Sequence, residues 1–287
     1  MNFDLSEEQE LMRGSFARFF DQQSSMLRVR AAQPLGFDAA MWTGLAELGA
    51  FSIRVPEAAG GLGLGLLDAV VLMEEAGRML ASGPVAETLV SARLLGILGG
   101  QGELLDRITA GSSVVSLAFH DLAKAPLQWI AGGAVADAVI ARDGDAVVLV
   151  SVPPDTRKAE ANLASTPIAE LNLKSLPRRI LATGPDALRA FGQVVEEWKL
   201  LIAAALAGLS REALRLAAAY ASERRQFDQL IGSFQAISHP LADRLCEVDG
   251  GKYLVWKAIR DIADDVAEAG ATISLAAWWN AEHAGRT

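Results

Sequence analysis

The chain has 287 residues, 51% of them hydrophobic and 21% charged, enough to bury a large core in one long domain or in two or three small ones packed together. A formal net charge of −9 argues against a polyanionic partner, because nucleic acids bind basic surfaces. No run reaches the roughly 18 apolar residues of a membrane span, and residues 1–20 carry acids where a secretion signal would have a basic end, so a cytoplasmic protein is expected.

Residues 1–111 read as a helical domain. Ser6 and Gln9 form a capping box, and Met12, Phe16, Phe19 and Phe20 follow along one face. Further helices are predicted at 38–49, 66–80, 85–98 and 102–110, separated by Gly and Pro punctuation. Between the first two of these, "FSIRVP" is a strand-like apolar run, and the loop behind it carries Gly60, Gly61, Gly63 and Gly65. The order strand, glycine loop and helix raises the question of a dinucleotide cradle. The G-x-G-x-x-G spacing fails, because the third position is Leu66 or Asp68, and no Gly-Lys-Ser/Thr follows. The plainer reading is a loop whose glycines permit positive φ ahead of a helix.

Near residue 112 the texture changes. "SVVSLAF", "AVADAVIAR" and "DAVVLVSVP" are β-branched runs, the last two flanking the hairpin signal Asp143-Gly144, so 112–185 reads as a small β domain. Helices return over 186–287. Leu241, Leu245, Val248, Lys252, Val255, Ile259, Ile262 and Val266 make a stripe interrupted only by Lys252, with 198–222 as the expected antiparallel neighbour. Together with the exposed-looking "AAWW" at 276–279, that seam offers more apolar surface than one chain covers, which predicts an oligomer. The single Cys246 permits no internal disulfide, and its place on this pattern predicts a buried, inert thiol. His120, His239 and His283 stand apart from other ligand types at metal spacing, so no metal site is expected.

Three pieces, "LSEEQELMRGSFARFF", "WTGLAELGAFSIRVPEAAGGLGLGLLDAVVLMEEAGRML" and "ASERRQFDQLIGSFQAISHPLADRL", resemble in order and separation the acyl-CoA dehydrogenase family. The P-E-x-x-G-G-x-G loop and the E-R-x-x-F…Q-x-I…L-A-D segment carry the resemblance. It covers 1–111 and 198–287 well and the middle only at "VADAVIARDGDAVVLV". The implied fold is mainly α with a small central β domain: an N-terminal helical domain, a short β region and a C-terminal helical bundle that looks incomplete at its end. The implied glycine loop shapes the wall of the acyl-CoA cleft, which removes the phosphate-cradle reading.

The resemblance implies a reaction in which flavin adenine dinucleotide (FAD) takes a hydride from the β-carbon of an acyl thioester while a carboxylate removes the α-proton. It assigns the adenine and diphosphate end of the flavin to Arg224, Phe227 and Gln235, with Gln226, Leu230 and Phe234 close by. The chemistry agrees, since a guanidinium pairs with phosphate and a ring and an amide suit adenine. Read without the resemblance, Arg224 and Arg225 end a helix at its negative pole. Asp228 stands where the family has glycine.

The base is not found. The family's commoner base lies in a loop beyond the last helix pair, outside this sequence, as does its Q-x-x-G-G flavin motif. The alternative base position, at the start of a helix expected near 198, holds Trp198, and the family's adjacent Arg is Lys199. A slip of one residue would bring in Glu197, yet Glu196 and Glu197 read as solvated charges on a first helical turn. "LAFHDLAKAPLQW" lacks the family's Thr/Ser- and Gly-rich flavin contact, His120 reads as structural or surface, and the insert expected between Trp129 and Val135 is nearly absent. This shortened middle resembles the abbreviated subunits of two-gene acyl-CoA dehydrogenases, which pair unlike chains and often act on bulky thioesters such as steroid side chains. The expected partners are an acyl-CoA, an electron-transfer flavoprotein and further chains of the family. Two function classes stay open: a subunit of an FAD-dependent acyl-CoA dehydrogenase, or a catalytically silent relative that brace a catalytic chain. An unrelated helical interaction protein is a remote third.

Overall fold

The computed structural model describes residues 4–287. The chain divides into two compact units, one holding the start of the first helix to Ala17 together with Val70–Leu80 and Lys199–Thr287, the other Arg18–Ala69 and Ala81–Trp198.

Helix α1 (Glu7–Gln23) opens on the expected capping box, with Ser6 N donating to Gln9 Oε1 at 3.1 Å and Gln9 N to Ser6 Oγ at 3.2 Å. A short α2 (Met26–Ala31) follows, then α3 (Ala39–Glu47), whose first amides donate to the Asp38 carboxylate. Trp42, Phe51, Met41, Leu45 and Phe20 are buried, with Trp42 and Phe51 rings 4.4 Å apart. The strand-like run at 51–55 is not a strand: Ala50–Ser52 is a 3-10 turn. The carbonyls of Ser52, Ile53 and Val55 accept the amides of Leu62, Leu64 and Gly63, so the run bonds to its own glycine loop. A Cβ on Gly61 would lie 2.2 Å from Val55 O, which is why this approach needs glycine. With those loop amides engaged, no phosphate cradle is left there. Helices α4 (Leu66–Arg78), α5 (Val85–Leu98) and α6 (Gly102–Thr109) lie where their periodicity predicts.

A four-stranded sheet has the order β1-β3-β4-β6. Strand β1 (Val115–Leu117) runs parallel to β3 (Ala138–Asp143), and β3 pairs antiparallel with β4 (Ala146–Ser151) through the two-residue loop Gly144-Asp145. A separate antiparallel pair joins β2 (Leu127–Ile130) to β5 (Ala169–Asn172), and β6 (Arg178–Thr183) closes the larger sheet against β4.

Helix α7 runs unbroken over Pro185–Glu223. No helix begins near 198: Pro185 sits at the first position, where its missing amide costs nothing, and nothing in the next 38 residues breaks the helix. A small hairpin, β7 (Arg225–Gln226) and β8 (Gln229–Leu230), leads to α8 (Gln235–Ala263) and α9 (Ala269–Ala284). The buried part of the α8 stripe is Val248 and Val255, packed with Ile273 and Ala276 of α9, and Asn280 Nδ2 donates to Gly251 O at 3.2 Å. Helix α9 is therefore a partner of α8 that the stripe alone did not name, while α7 reaches α8 through the ion pair Arg211–Asp249 at 3.8 Å. Val266 lies beyond α8 and is exposed. Cys246 is exposed too, against expectation, because two residues is about 200° of helical rotation and places it opposite Val248.

Candidate functional site

Trp198 lies about four turns into α7, within the unit that also holds α5 and the sheet. Its indole Nε1 donates to Glu87 Oε1 at 2.8 Å, and its ring sits against Phe119 with centroids 4.2 Å apart at 41°. Glu87, on α5, is 6% exposed. Burial raises its pKa above the ordinary value, outweighing the Trp198 hydrogen bond, which lowers it. The pair thus presents an indole donor and a carboxyl held toward its neutral form. The indole N–H only donates, so Trp198 itself cannot take a proton.

Glu197 is a correction to the sequence reading. Far from being a solvated charge on a first turn, it is 7% exposed and gripped by two arginines. Arg54 Nη2 donates to Oε1 at 2.8 Å and Arg54 Nε to Oε2 at 3.3 Å, while Arg93 Nε lies 2.8 Å from Oε1. Both carboxylate oxygens of Glu197 are thus engaged by guanidiniums. Neighbouring Glu196 is half-buried.

His120 is exposed, and the chain holds it by the backbone: buried Gln128 accepts from His120 N at 3.1 Å and donates to His120 O at 2.8 Å and to Ala125 O at 2.7 Å. The segment after β1 is thus shaped by an amide of β2, with no ring nitrogen involved.

The residues assigned to the flavin lie in the other unit, and the fold gathers them on one hairpin and the helix behind it. Arg225 pairs with Leu230 and Gln226 with Gln229, Ile231 N donates to Arg224 O at 2.9 Å, and Gln235 opens α8. Phe227 and Asp228 form the tip with φ of 52° and 63°, the left-handed region where the family's glycine would be at ease and which Asp tolerates better than most residues. Phe227 is 86% exposed and meets Phe234 edge-on at 6.3 Å. Arg224 and Arg225 are exposed and form no ion pair among the described residues, and Gln226 Nε2 turns back to Arg225 O at 2.9 Å. Two open guanidiniums, an amide at Gln235 and two aromatic rings are a donor set that fits the diphosphate and adenine end of FAD from one side.

Arg54, Arg93, Glu87 and Gln128 escaped the sequence reading. A signal existed for two of them: Glu87 and Arg93 are the charged residues of "VAETLVSARLLGIL", a helix whose other residues are apolar apart from Thr88 and Ser91. Among the described residues no helix is long and apolar enough to cross a membrane, and no cluster of three His, Cys, Asp or Glu could hold a metal.

Comparison with known proteins matches residues 6–102 to the family described as "Acyl-CoA dehydrogenase, N-terminal domain" and residues 189–287 to "Acyl-CoA dehydrogenase, C-terminal domain". The chain is 32% identical to acyl-CoA dehydrogenase IpdE2 of Mycolicibacterium smegmatis over 89% of its own length and 78% of the relative's. It is 29% identical to benzylmalonyl-CoA dehydrogenase of Aromatoleum aromaticum, covering 90% and 80%. Among solved structures, a variant of the steroid ACAD Tcur3481-Tcur3483 superposes with a TM-score of 0.83 at 27% identity, covering 97% and 84%. The ChsE4-ChsE5 complex from Mycobacterium tuberculosis follows at 0.78 and 25%, covering 99% and 85%.

Proposed function

Because this chain belongs to the acyl-CoA dehydrogenase family, we propose that it works as one subunit of a heteromeric, FAD-dependent acyl-CoA dehydrogenase and takes the catalytic base from a partner chain. The observation that carries the second half is Trp198, bonded to Glu87 where a base is expected, with Glu197 committed to Arg54 and Arg93. Similarity to a steroid ACAD and to a two-component complex supports the pairing of unlike chains and a bulky acyl-CoA thioester as substrate. An electron-transfer flavoprotein is the natural acceptor for such a system. We read the chain as three parts, 1–111, 112–185 and 186–287, with the flavin edge in the last.

Bound FAD would supply the hydride acceptor for the β-carbon. The chain's own contribution is binding: Arg224 offers charge-assisted hydrogen bonds to a diphosphate, and Gln235, Phe227 and Phe234 offer an amide and rings to adenine, with Gln226 and Leu230 setting the hairpin between them. Glu87 is shut away from water with Trp198 Nε1 as its partner, and Phe119 packs on the Trp198 ring.

The test is flavin occupancy of the complex purified with its partner. A charge-assisted contact is worth about 1.5–3 kcal/mol, so Arg224→Ala should lower the flavin retained on dialysis by roughly tenfold or more. Unchanged retention would move the chain to the alternative class, a silent relative that only braces a catalytic chain.

A further inference from the structure

The cluster around Glu197 carries more positive charge than it uses. Arg54 takes the carboxylate as a fork, and its Nη1 donates to Leu64 O at 2.5 Å, so its donors on both sides are engaged. Arg93 comes second. Its Nε is 2.8 Å from Glu197 Oε1 without the alignment of a hydrogen bond, and this buried N–H meets no other acceptor. Its Nη1 reaches only Arg54 O, at 3.3 Å. The Arg93 side chain keeps 24% of its surface exposed, against 11% for Arg54 and 10% for Glu197, so of the three charged groups it is the one solvent reaches most, although its Nε is itself buried. Burial and the neighbouring Arg54 both work against the charge on Arg93, and Glu197 offsets them in part. Two guanidiniums against one carboxylate leave a surplus of one positive charge in a chain whose net charge is −9.

We propose that Arg93, braced by Arg54 and Glu197, receives an oxyanion of a ligand, either a carboxylate or a phosphate group. The planar fork of a guanidinium matches both, and an incoming oxyanion would neutralise the surplus charge and supply the acceptors that Glu197, shared between two arginines, cannot. Glu197 then sets the strength of the site by competing for the same donors. The proposal needs neither flavin nor turnover, so it stands or falls apart from the proposed function.

Calorimetric titration of the full chain with malonate and with inorganic phosphate, each against sodium chloride at matched ionic strength, tests it. Saturable binding is expected in the wild type, weakened about tenfold or more in Arg93→Gln and partly restored in Arg93→Lys, as expected for loss of a charge-assisted pair. Glu197→Gln should bind about tenfold more tightly, because it removes the competitor and keeps the shape. Tighter binding of malonate assigns the site to a carboxylate on an acyl group, and tighter binding of phosphate assigns it to a phosphorylated ligand. Absence of binding in the wild type and in Glu197→Gln, or equal binding in Arg93→Gln, would overturn the proposal. If Glu197→Gln does not fold, the wild type and the two Arg93 variants decide alone.

Discussion

Glu87 carries a cost that its partner reveals. A carboxyl buried under an indole keeps its proton to higher pH than the same carboxyl in the unfolded chain. From the unfolded value upward the native state then binds more protons than the unfolded state, so stability falls as pH rises through the folded value. Glu87→Gln keeps an oxygen for Trp198 Nε1 and removes the ionisation. The variant should match the wild type near pH 4 and exceed it at pH 8 when urea midpoints are compared. Glu74, half-buried and also raised mainly by desolvation, keeps part of the wild-type slope in both proteins. A Gln variant that loses more stability at pH 8 than at pH 4 would contradict this account. The same residue shows what sequence can convey at this scale. That Arg224, Phe227 and Gln235 lie near one another could be read from one contiguous segment, and the fold sets them on one hairpin and helix start. The Arg54–Glu197 contact was not, since it joins residues 143 apart and depends on which way a helix is turned.

Helix α7 is the element on which the placement of Glu197 turns. A start at 198 would leave Glu197 on a solvated first turn, whereas the start at Pro185 puts it on a buried face. The helices and the β3–β4 hairpin were legible from period and turn residues, because those signals are local. The run 51–55 was not, because its hydrogen bonds go to the glycine loop that follows it, and period alone cannot say where amides find partners. Within one unit α4 and α7 touch backbone to backbone: a Cβ on Gly77 would fall 1.9 Å from Ala205 O, and one on Gly208 1.9 Å from Glu74 O. Alanine favours a helix over glycine by about 1 kcal/mol. Gly208→Ala should nonetheless destabilise by about 1–3 kcal/mol, because the carbonyl it meets is backbone and the helices must part. Gly192→Ala, on the same helix with open space around it, should stabilise by up to about 1 kcal/mol. Urea denaturation of the two variants checks both signs, and two gains would refute the close crossing.

At the scale of the whole molecule, the fold class was legible because two long helical stretches bracket one β-branched stretch, and the family followed from two motifs far apart in the chain. The base was not legible in the sequence: the indole of Trp198 only donates, to Glu87, and Glu197 is paired with Arg54 and Arg93. Exposed Leu245, Tyr253, Leu275 and Trp278 on α8 and α9 leave apolar surface of the kind that another chain covers. The central claim is that this chain holds its part of a flavin site and abstracts no proton. Removal of an α-proton can be read directly, as exchange of the α-hydrogens of an acyl-CoA with deuterated solvent followed by NMR. The account predicts background exchange for the chain alone and for Glu197→Gln, and exchange raised by about 10²–10⁴, the usual worth of a positioned base, once the partner chain is added. Fast exchange by the chain alone, lost in Glu197→Gln, would contradict it.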